Sequence, residues 1–322
     1  MMEIYGTLGP ACANAVVLEQ MFRSGMTGLR LNLSHTSLEE SAPLLEQMRL
    51  AAERCGVRPQ LLIDLQGPEL RVGKQGLPLL LEEGVRLPLR RLALPEHLYA
   101  ALQPETELLL DDGRLCVRVL PAGEGLVLRG GTLAPGKSVA VPGLCAALPA
   151  LTAADRKNLL LASAFGVTGV MQSFVRSRED VEEVRTALCG TGLRHFAKLE
   201  NRAGLDSLEQ WIRLPDVLVI ARGDLGNAVP LWELPGVQKQ VAALARQAGK
   251  PFLVVTQMLA SMERTAVPTR AEVSDIFNAV LDGASALMLT GETAAGRYPA
   301  EAMDYFCRTI RAAETFLREE RN

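Results

Sequence analysis

Two short apolar runs within residues 195–226 each end in charge. The first reads His195-Phe-Ala-Lys198-Leu-Glu200-Asn201, the second Pro215-Asp-Val-Leu-Val-Ile-Ala221-Arg222-Gly223-Asp224-Leu-Gly226. Unbroken Val, Leu and Ile bounded by Pro and Gly predict a strand buried on both faces, because a half-solvated strand alternates polar with apolar residues. The charges then fall at strand exits. Two carboxylates, Glu200 and Asp224, with few competing donors suit a hard divalent cation such as Mg2+, which takes oxygen ligands and keeps positions for water and substrate. Lys198 adds a positive charge beside them. Gly223 and Gly226 let the backbone approach a ligand closely, and N–H groups opening a helix there would attract an anion. A single Lys or Glu at a strand end is commonly half of a solvated ion pair worth little. The combination is what points to a metal and phosphate site.

Chemistry at several strand exits requires strands that run parallel and end on one side, and the rest of the chain carries that pattern. Residues 4–8 form an apolar run into Gly9-Pro10, followed by helical periodicity over 14–24. Residues 28–33 are the next strand, and Ser37 with Glu40 makes a capping box predicted to open a helix to about residue 55. Residues 60–65 are the third. After Gly73 the texture changes to short Leu- and Val-rich runs broken by Asp112-Gly113, Gly130-Gly131 and Pro135-Gly136. Flexible linkers are not this apolar, so residues 74–139 are predicted to be an inserted β-rich domain overhanging the site. Helix and strand then alternate: helix from Thr152, strand 169–172, helix from Ser177, strand 196–199, helix from Gly204, strand 217–221 and helix 234–248. Strand 252–256, a helix opened by the Thr269 and Glu272 capping box, strand 286–289 and a helix starting at Pro299 complete the set. Eight strand–helix units predict an α/β fold, an eight-fold β/α (TIM) barrel formed by residues 1–73 and 140–322. A doubly wound open sheet is the structural alternative.

Composition sets outer limits. A chain of 322 residues, 48% hydrophobic, can bury a large core. Its formal net charge of −3 offers no basic stripe, so nucleic acid is not an expected partner. Six cysteines without a Cys-x-x-Cys pair suggest reduced thiols. No stretch of 18 apolar residues is present, and the N-terminus lacks a charged head followed by an apolar segment. The expectation is a cytoplasmic protein with no membrane contact.

If the barrel is right, its strand exits collect Arg30, Asn32, Ser34, His35, Asp64, Ser173, Lys198, Glu200, Arg222, Asp224, Thr256, Thr290 and Glu292. The order of motifs is more specific than any one of them. Thr7-Leu-Gly-Pro10, Gly25-Met26, Arg30-Leu-Asn-Leu-Ser-His35, residues 64–71, Ser173-Phe-Val-Arg176 and Lys198-Leu-Glu-Asn201 occur in sequence. Residues 221–226, Thr256-Gln-Met-Leu259, Pro268-Thr-Arg-Ala-Glu272, Ala279-Val-Leu-Asp-Gly283 and Gly291-Glu-Thr-Ala294 follow. The chain resembles the pyruvate kinase family along the whole barrel. The resemblance implies a barrel interrupted after its third strand by a β domain that closes over the nucleotide, and transfer of a phosphoryl group from phosphoenolpyruvate to ADP, giving pyruvate and ATP. It further implies that Glu200 and Asp224 hold Mg2+, and that Asn32, Ser34, Asp64 and the carbonyl of Leu65 hold K+. Lys198 would neutralise the transferring phosphoryl group, with Thr256 and Arg30 also catalytic. The amides of Ala221, Arg222 and Gly223, with Thr256, would bind the substrate, while Arg30, His35, Arg71 and Lys137 would meet the nucleotide.

Departures from the family pattern matter as well. The family usually reads Asp-Thr-Lys-Gly-Pro-Glu where this chain has Asp64-Leu65-Gln66-Gly67-Pro68-Glu69, so one cationic side chain is missing. Family members that work without K+ tend to carry Lys at the position of Glu69, which implies K+ dependence here. The sequence ends after the eighth predicted barrel helix, where family members typically continue into a C-terminal effector-binding domain. The expectation is a minimal form that pairs as a homodimer through the helices of residues 229–322. Two other functions are open to such a chain: a non-catalytic or divergent paralogue that binds phosphoenolpyruvate or nucleotide, and a Mg2+-dependent enolate lyase or aldolase on a similar barrel.

Overall fold

The computed structural model describes residues 2–34, 36–73, 75–111, 113–141 and 148–320; His35 lies outside the described residues. The first three strands, β1 (Glu3–Thr7), β2 (Gly28–Asn32) and β3 (Gln60–Asp64), are joined by α1 (Ala15–Ser24) and α2 (Ala42–Cys55). The chain then leaves this layer through β4 (Leu70–Arg71), β5 (Leu79–Leu81), β6 (Arg86–Pro88), α3 (Glu96–Ala101), β7 (Glu107–Leu110) and β8 (Leu115–Val119). It returns through β9 (Glu124–Arg129), β10 (Gly131–Leu133) and β11 (Ser138–Ala140). Next come α4 (Ala153–Leu161), β12 (Gly169–Gln172), α5 (Arg178–Ala187), β13 (Arg194–Leu199), α6 (Arg202–Asp206), α7 (Leu208–Trp211), β14 (Val217–Ala221) and α8 (Arg222–Ala228). The last elements are α9 (Leu234–Gln247), β15 (Phe252–Val255), α10 (Arg270–Leu281), β16 (Ala286–Met288), α11 (Gly291–Ala294) and α12 (Pro299–Glu319).

Among the described residues, eight parallel strands close a barrel in the order β1-β16-β15-β14-β13-β12-β3-β2. The α/β barrel expected from the alternating pattern is therefore present. Strands β4 to β11 fall after the third barrel strand and form a six-stranded and a two-stranded sheet of their own. Where the chain enters and leaves this inserted region, β4 and β11 pair antiparallel, Ser138 opposite Arg71 and Val139 opposite Leu70.

Side chains of a strand alternate between faces, and a barrel strand is buried on both. Tyr5, Leu62, Met171, Phe196, Val217, Val219, Leu253, Val255 and Met288 fill the barrel interior. Their neighbours one residue away, such as Ile63, Val170, Ala197 and Leu218, pack outward against the helices. The inserted sheets have a separate core that includes Leu87, Leu98, Leu108, Leu110, Val117 and Val127. Helix starts follow the polar residues expected of them. Thr152 and Asp155 form a capping box at α4, Thr269 and Glu272 form one at α10, and the Ser177 side chain caps α5.

Two local expectations need correction. Ser37 and Glu40 exchange the capping-box bonds, Ser37 N to Glu40 Oε2 at 2.9 Å and Glu40 N to Ser37 Oγ at 3.2 Å, yet they close an isolated turn. The helix begins at Ala42, with Pro43 in its first turn, where a missing N–H costs no helical bond. The helix after β13 starts at Arg202 rather than Gly204, because Asn201 caps it by accepting from Gly204 N at 2.8 Å. Among the described residues no helix is long and apolar enough to cross a membrane, and Cys12, Cys55, Cys116, Cys189 and Cys307 are free thiols.

Candidate active site

The two-residue period that places Leu62 and Phe196 inside the barrel carries Asp64, Lys198 and Glu200 to the same face nearer the strand exits. Asn32 on β2 lies opposite Asp64 on β3, and β13 adjoins β14, whose exit leads into α8 and Asp224. These exits open into a cleft of about 650 Å3 walled by Arg30, Asn32, Ser34, Asp64, Glu69, Ser173, Phe174, Lys198, Glu200 and Asp224. Arg71, at the entry to the inserted region, and residues 135–138 within it form the rest of the wall.

Lys198 is the hub of the buried end. Its Nζ lies 2.9 Å from Asp64 Oδ1 and 3.1 Å from Glu200 Oε1. Asp64 is 2% exposed and also takes Arg30 Nε at 2.7 Å on Oδ2, so a carboxylate that burial alone would neutralise stays charged. Burial would raise its pKa, but the Lys198 and Arg30 cations hold it below the usual carboxylate value. For Lys198 the balance has the opposite sign: burial favours the neutral amine, and the Asp64 and Glu200 carboxylates lift its pKa above the ordinary lysine value. The ammonium is thus permanently charged at the floor of the cleft. Glu200 Oε2 accepts from the amide of Phe174 at 2.7 Å, which fixes the second oxygen of that carboxylate.

Across the cleft, Lys137 Nζ pairs with Asp111 Oδ1 at 2.7 Å, and Arg71 Nε donates to Glu69 Oε2 at 2.8 Å while its Nη1 donates to Gly136 O at 2.8 Å. Burial pushes the Glu69 carboxyl above its usual pKa, with Arg71 opposing the shift. Positive side chains therefore face one another from the barrel and from the inserted region over a shared cavity.

The structure thus brings Arg30, Asn32, Ser34, Asp64, Arg71, Lys137, Lys198, Glu200 and Asp224 to one cleft. Ala221, Arg222, Gly223, Leu65 and Thr256 are not among its described wall residues. The Arg222 side chain turns away, with Nη1 on Asp275 Oδ2 at 2.6 Å and Nη2 on the Thr256 carbonyl at 2.8 Å. Thr256 has φ +83, a left-handed conformation rare for a β-branched residue. Its Cγ2 packs over Gly223, where an added Cβ would lie only 3.1 Å away. Leu65 buries its side chain in the outer core, and its carbonyl lies 2.5 Å from Ser173 Oγ. Glu292, another strand-exit charge, is buried and accepts from Leu259 N at 3.0 Å and Thr290 N at 2.7 Å, clamping two loops together.

Phe174, Gly136 and Ser138 wall the cleft without having been assigned a site role from sequence. Phe174 could not have been, since it contributes through a left-handed backbone, φ +54, and its residue type carries no such preference. Asp155 was also missed: it receives Gln66 N at 2.8 Å and Gly67 N at 3.0 Å, anchoring the loop after β3 to α4. Its place in a Thr-x-x-Asp capping box was legible, but the second duty was not.

Comparison with known proteins covers nearly the whole chain. The sequence matches the family described as pyruvate kinase, barrel domain, over residues 1–88 and 92–303. It is 39% identical to a pyruvate kinase of Methylorubrum extorquens over 97% of this chain and 68% of that protein. It is likewise 39% identical to one of Aeropyrum pernix, over 95% of this chain and 69% of the relative. A pyruvate kinase of Geobacillus stearothermophilus is also 39% identical, over 94% of this chain and 55% of that protein. With the barrel-domain model matched over most of its length and relatives 39% identical across nearly all of it, the chain belongs to the pyruvate kinase family.

Proposed function

We propose that this chain transfers the phosphoryl group of phosphoenolpyruvate to ADP, giving pyruvate and ATP. The observation that carries the reading is Lys198, a buried ammonium held by Asp64 and Glu200 at the floor of a cleft that Lys137 and Arg71 face from the other side. A loose transferring phosphoryl group needs positive charge in place more than a covalent partner. Lys198 holds that charge beside the group in flight. Arg30, Arg71 and Lys137 then meet the nucleotide phosphates, and His35 belongs to the same proposed set. The P–O bond to the enol oxygen breaks, a terminal ADP oxygen takes the phosphoryl group, and the enolate left behind takes a proton at carbon to become pyruvate. In this reading Thr256, which packs against Gly223, orients that proton's donor, and the amides of Ala221, Arg222 and Gly223 receive the substrate carboxylate.

The donor chemistry fits two cations. Glu200 and Asp224 offer carboxylate oxygens on one cleft, which suits Mg2+. Asn32, Ser34, Asp64 and the Leu65 carbonyl offer oxygens alone, which suits K+. Leu65 differs from the family's usual Thr only in a side chain that points into the core, so the carbonyl is retained. When bound, these ions supply positive charge to the substrate carboxylate and phosphoryl oxygens. The inserted region, residues 74–139, acts in this reading as the lid. The exposed Leu231, Trp232 and Val267, in the segments leading into α9 and α10, support a homodimer through residues 229–322, and light scattering showing a tetramer at micromolar concentration would contradict it.

One assay tests the activity: ATP formation from phosphoenolpyruvate and ADP with Mg2+ and K+, pyruvate being measured in parallel. Equal amounts of both products are expected. Binding without either product would favour the non-catalytic paralogue, and pyruvate release that ignores ADP would favour a lyase-type reaction.

A further inference from the structure

Ser173 and Phe174 are consecutive residues just beyond β12, and each is bonded to a different cation-binding group proposed above. Ser173 is 4% exposed, with Oγ 3.1 Å from Asp64 Oδ1 and 2.5 Å from the Leu65 carbonyl oxygen. It thus touches two of the four donors assigned to K+. The amide of Phe174 donates to Glu200 Oε2 at 2.7 Å, and Glu200 is one of the two donors assigned to Mg2+.

The corner is held rigidly. Leu65 N donates to Met171 O at 3.0 Å, tying the loop after β3 to the strand that carries Ser173. Gly67, at φ +62, approaches so closely that an added Cβ would lie 2.9 Å from Ser173 Cβ. Phe174 at φ +54 occupies a left-handed conformation that a non-glycine residue adopts at an energetic cost. Its amide, in the peptide joining it to Ser173, points to Glu200. A hydroxyl has one proton and two lone pairs. Ser173 can donate to only one of its two neighbours at a time, so it is a responsive contact whose proton can shift when a cation draws on Asp64 or the Leu65 carbonyl.

We propose that the Ser173–Phe174 corner is a positioning element that couples the monovalent- and divalent-cation sites. The hydroxyl aims the Asp64 carboxylate and Leu65 carbonyl, the adjoining amide aims Glu200, and occupancy of one site changes affinity at the other. This rests on the cation assignment made under the proposed function.

The test reads binding without turnover. Mn2+ is titrated into the full chain by electron paramagnetic resonance, in K+ and in tetramethylammonium at equal ionic strength. For the native protein, K+ is expected to tighten Mn2+ binding. In Ser173→Ala the K+ concentration giving half of that effect should rise roughly five- to tenfold, the scale of one lost hydrogen bond. Mn2+ affinity without K+ should stay within about twofold, because the Phe174 amide, untouched by the substitution, still donates to Glu200 and no hydrogen bond to a Mg2+ donor is lost. Ser173→Cys, which keeps the size and a weak donor, should fall between the two, and it carries the test if Ser173→Ala does not fold. An unchanged K+ response in the variants overturns the positioning role while leaving the cation assignment standing. A native protein that binds no Mn2+ overturns the cation assignment as well, whereas one that binds it identically in both media overturns the coupling alone.

Discussion

Lys198 shows how a single side chain can be committed before any ligand arrives. Its ammonium is compensated on both sides, by Asp64 and by Glu200, in a site where losing one preorganised charge is expensive. Lys198→Met should therefore lower kcat by at least ~10²–10³ while KM for phosphoenolpyruvate moves far less, the signature of an interaction realised in the transition state. Near-normal ATP synthesis by this variant would sink the mechanism. His195 illustrates the opposite case, a buried titratable residue with no part in the chemistry. Its Nε2 lies 2.8 Å from Gln172 Oε1, Nδ1 is buried without a partner, and burial lowers its pKa to about 4. The Gln172 amide nitrogen donates to Asp180 O, so its oxygen accepts from His195 and the imidazole is neutral. The unfolded chain, with an ordinary histidine, binds the extra proton first as pH falls. Stability from this residue is thus full above about pH 6.5 and declines toward pH 4, by at most about 3 kcal/mol. Urea midpoints between pH 6.5 and 4 should show a steeper loss for the native chain than for His195→Gln, and equal slopes would refute the assignment.

At the scale of elements, the barrel depends on small residues where strands crowd. A Cβ on Gly169 of β12 would lie 2.7 Å from Leu62 Cδ2 and 2.9 Å from Phe196 Cε2, both interior residues. Overpacking of this kind costs about 1–3 kcal/mol, and Gly169→Ala should lower the unfolding midpoint accordingly with the same spectrum of secondary structure. Thr269→Ala, which removes the cap of α10, should cost about 1 kcal/mol by the same measurement. Such elements were legible because their signals are local. Capping boxes at Thr152 and Thr269 and unbroken Val-Leu-Ile runs state their structure within a few residues, and so did Lys198 and Glu200, whose two-residue spacing puts both on one strand face. What stayed hidden depends on distant partners or on backbone alone. The Ser37 and Glu40 pair had the right spacing but was overridden by Pro43, the clamp role of Glu292 needed the Leu259 amide to be in place, and the positive φ of Phe174 and Thr256 follows from the exits they turn around.

For the whole molecule, the relation between the inserted region and the barrel governs whether the cleft exists at all. Gly113, in the turn between β7 and β8, reaches the barrel so closely that an added Cβ would lie 2.6 Å from Asn227 Oδ1 on α8. Gly113→Ala should hold the inserted region off α8 and raise KM for ADP about fivefold, on the scale of 1 kcal/mol. Gly84 has nearly the same backbone, φ +79 against +77, with nothing within 4 Å, so Gly84→Ala supplies the control for strain alone. Equal effects of the two substitutions would show that the contact with Asn227 is immaterial. The separate core of the inserted sheets has a further result. Because β4 and β11 leave the barrel side by side, an unfolded insertion would be a closed loop whose ends the barrel still holds together, and loop-closure entropy penalises even long loops only slowly with length. Melting should therefore proceed in two cooperative steps, with catalysis failing reversibly at the first while the barrel, and all its strand-exit residues, remain folded until the second.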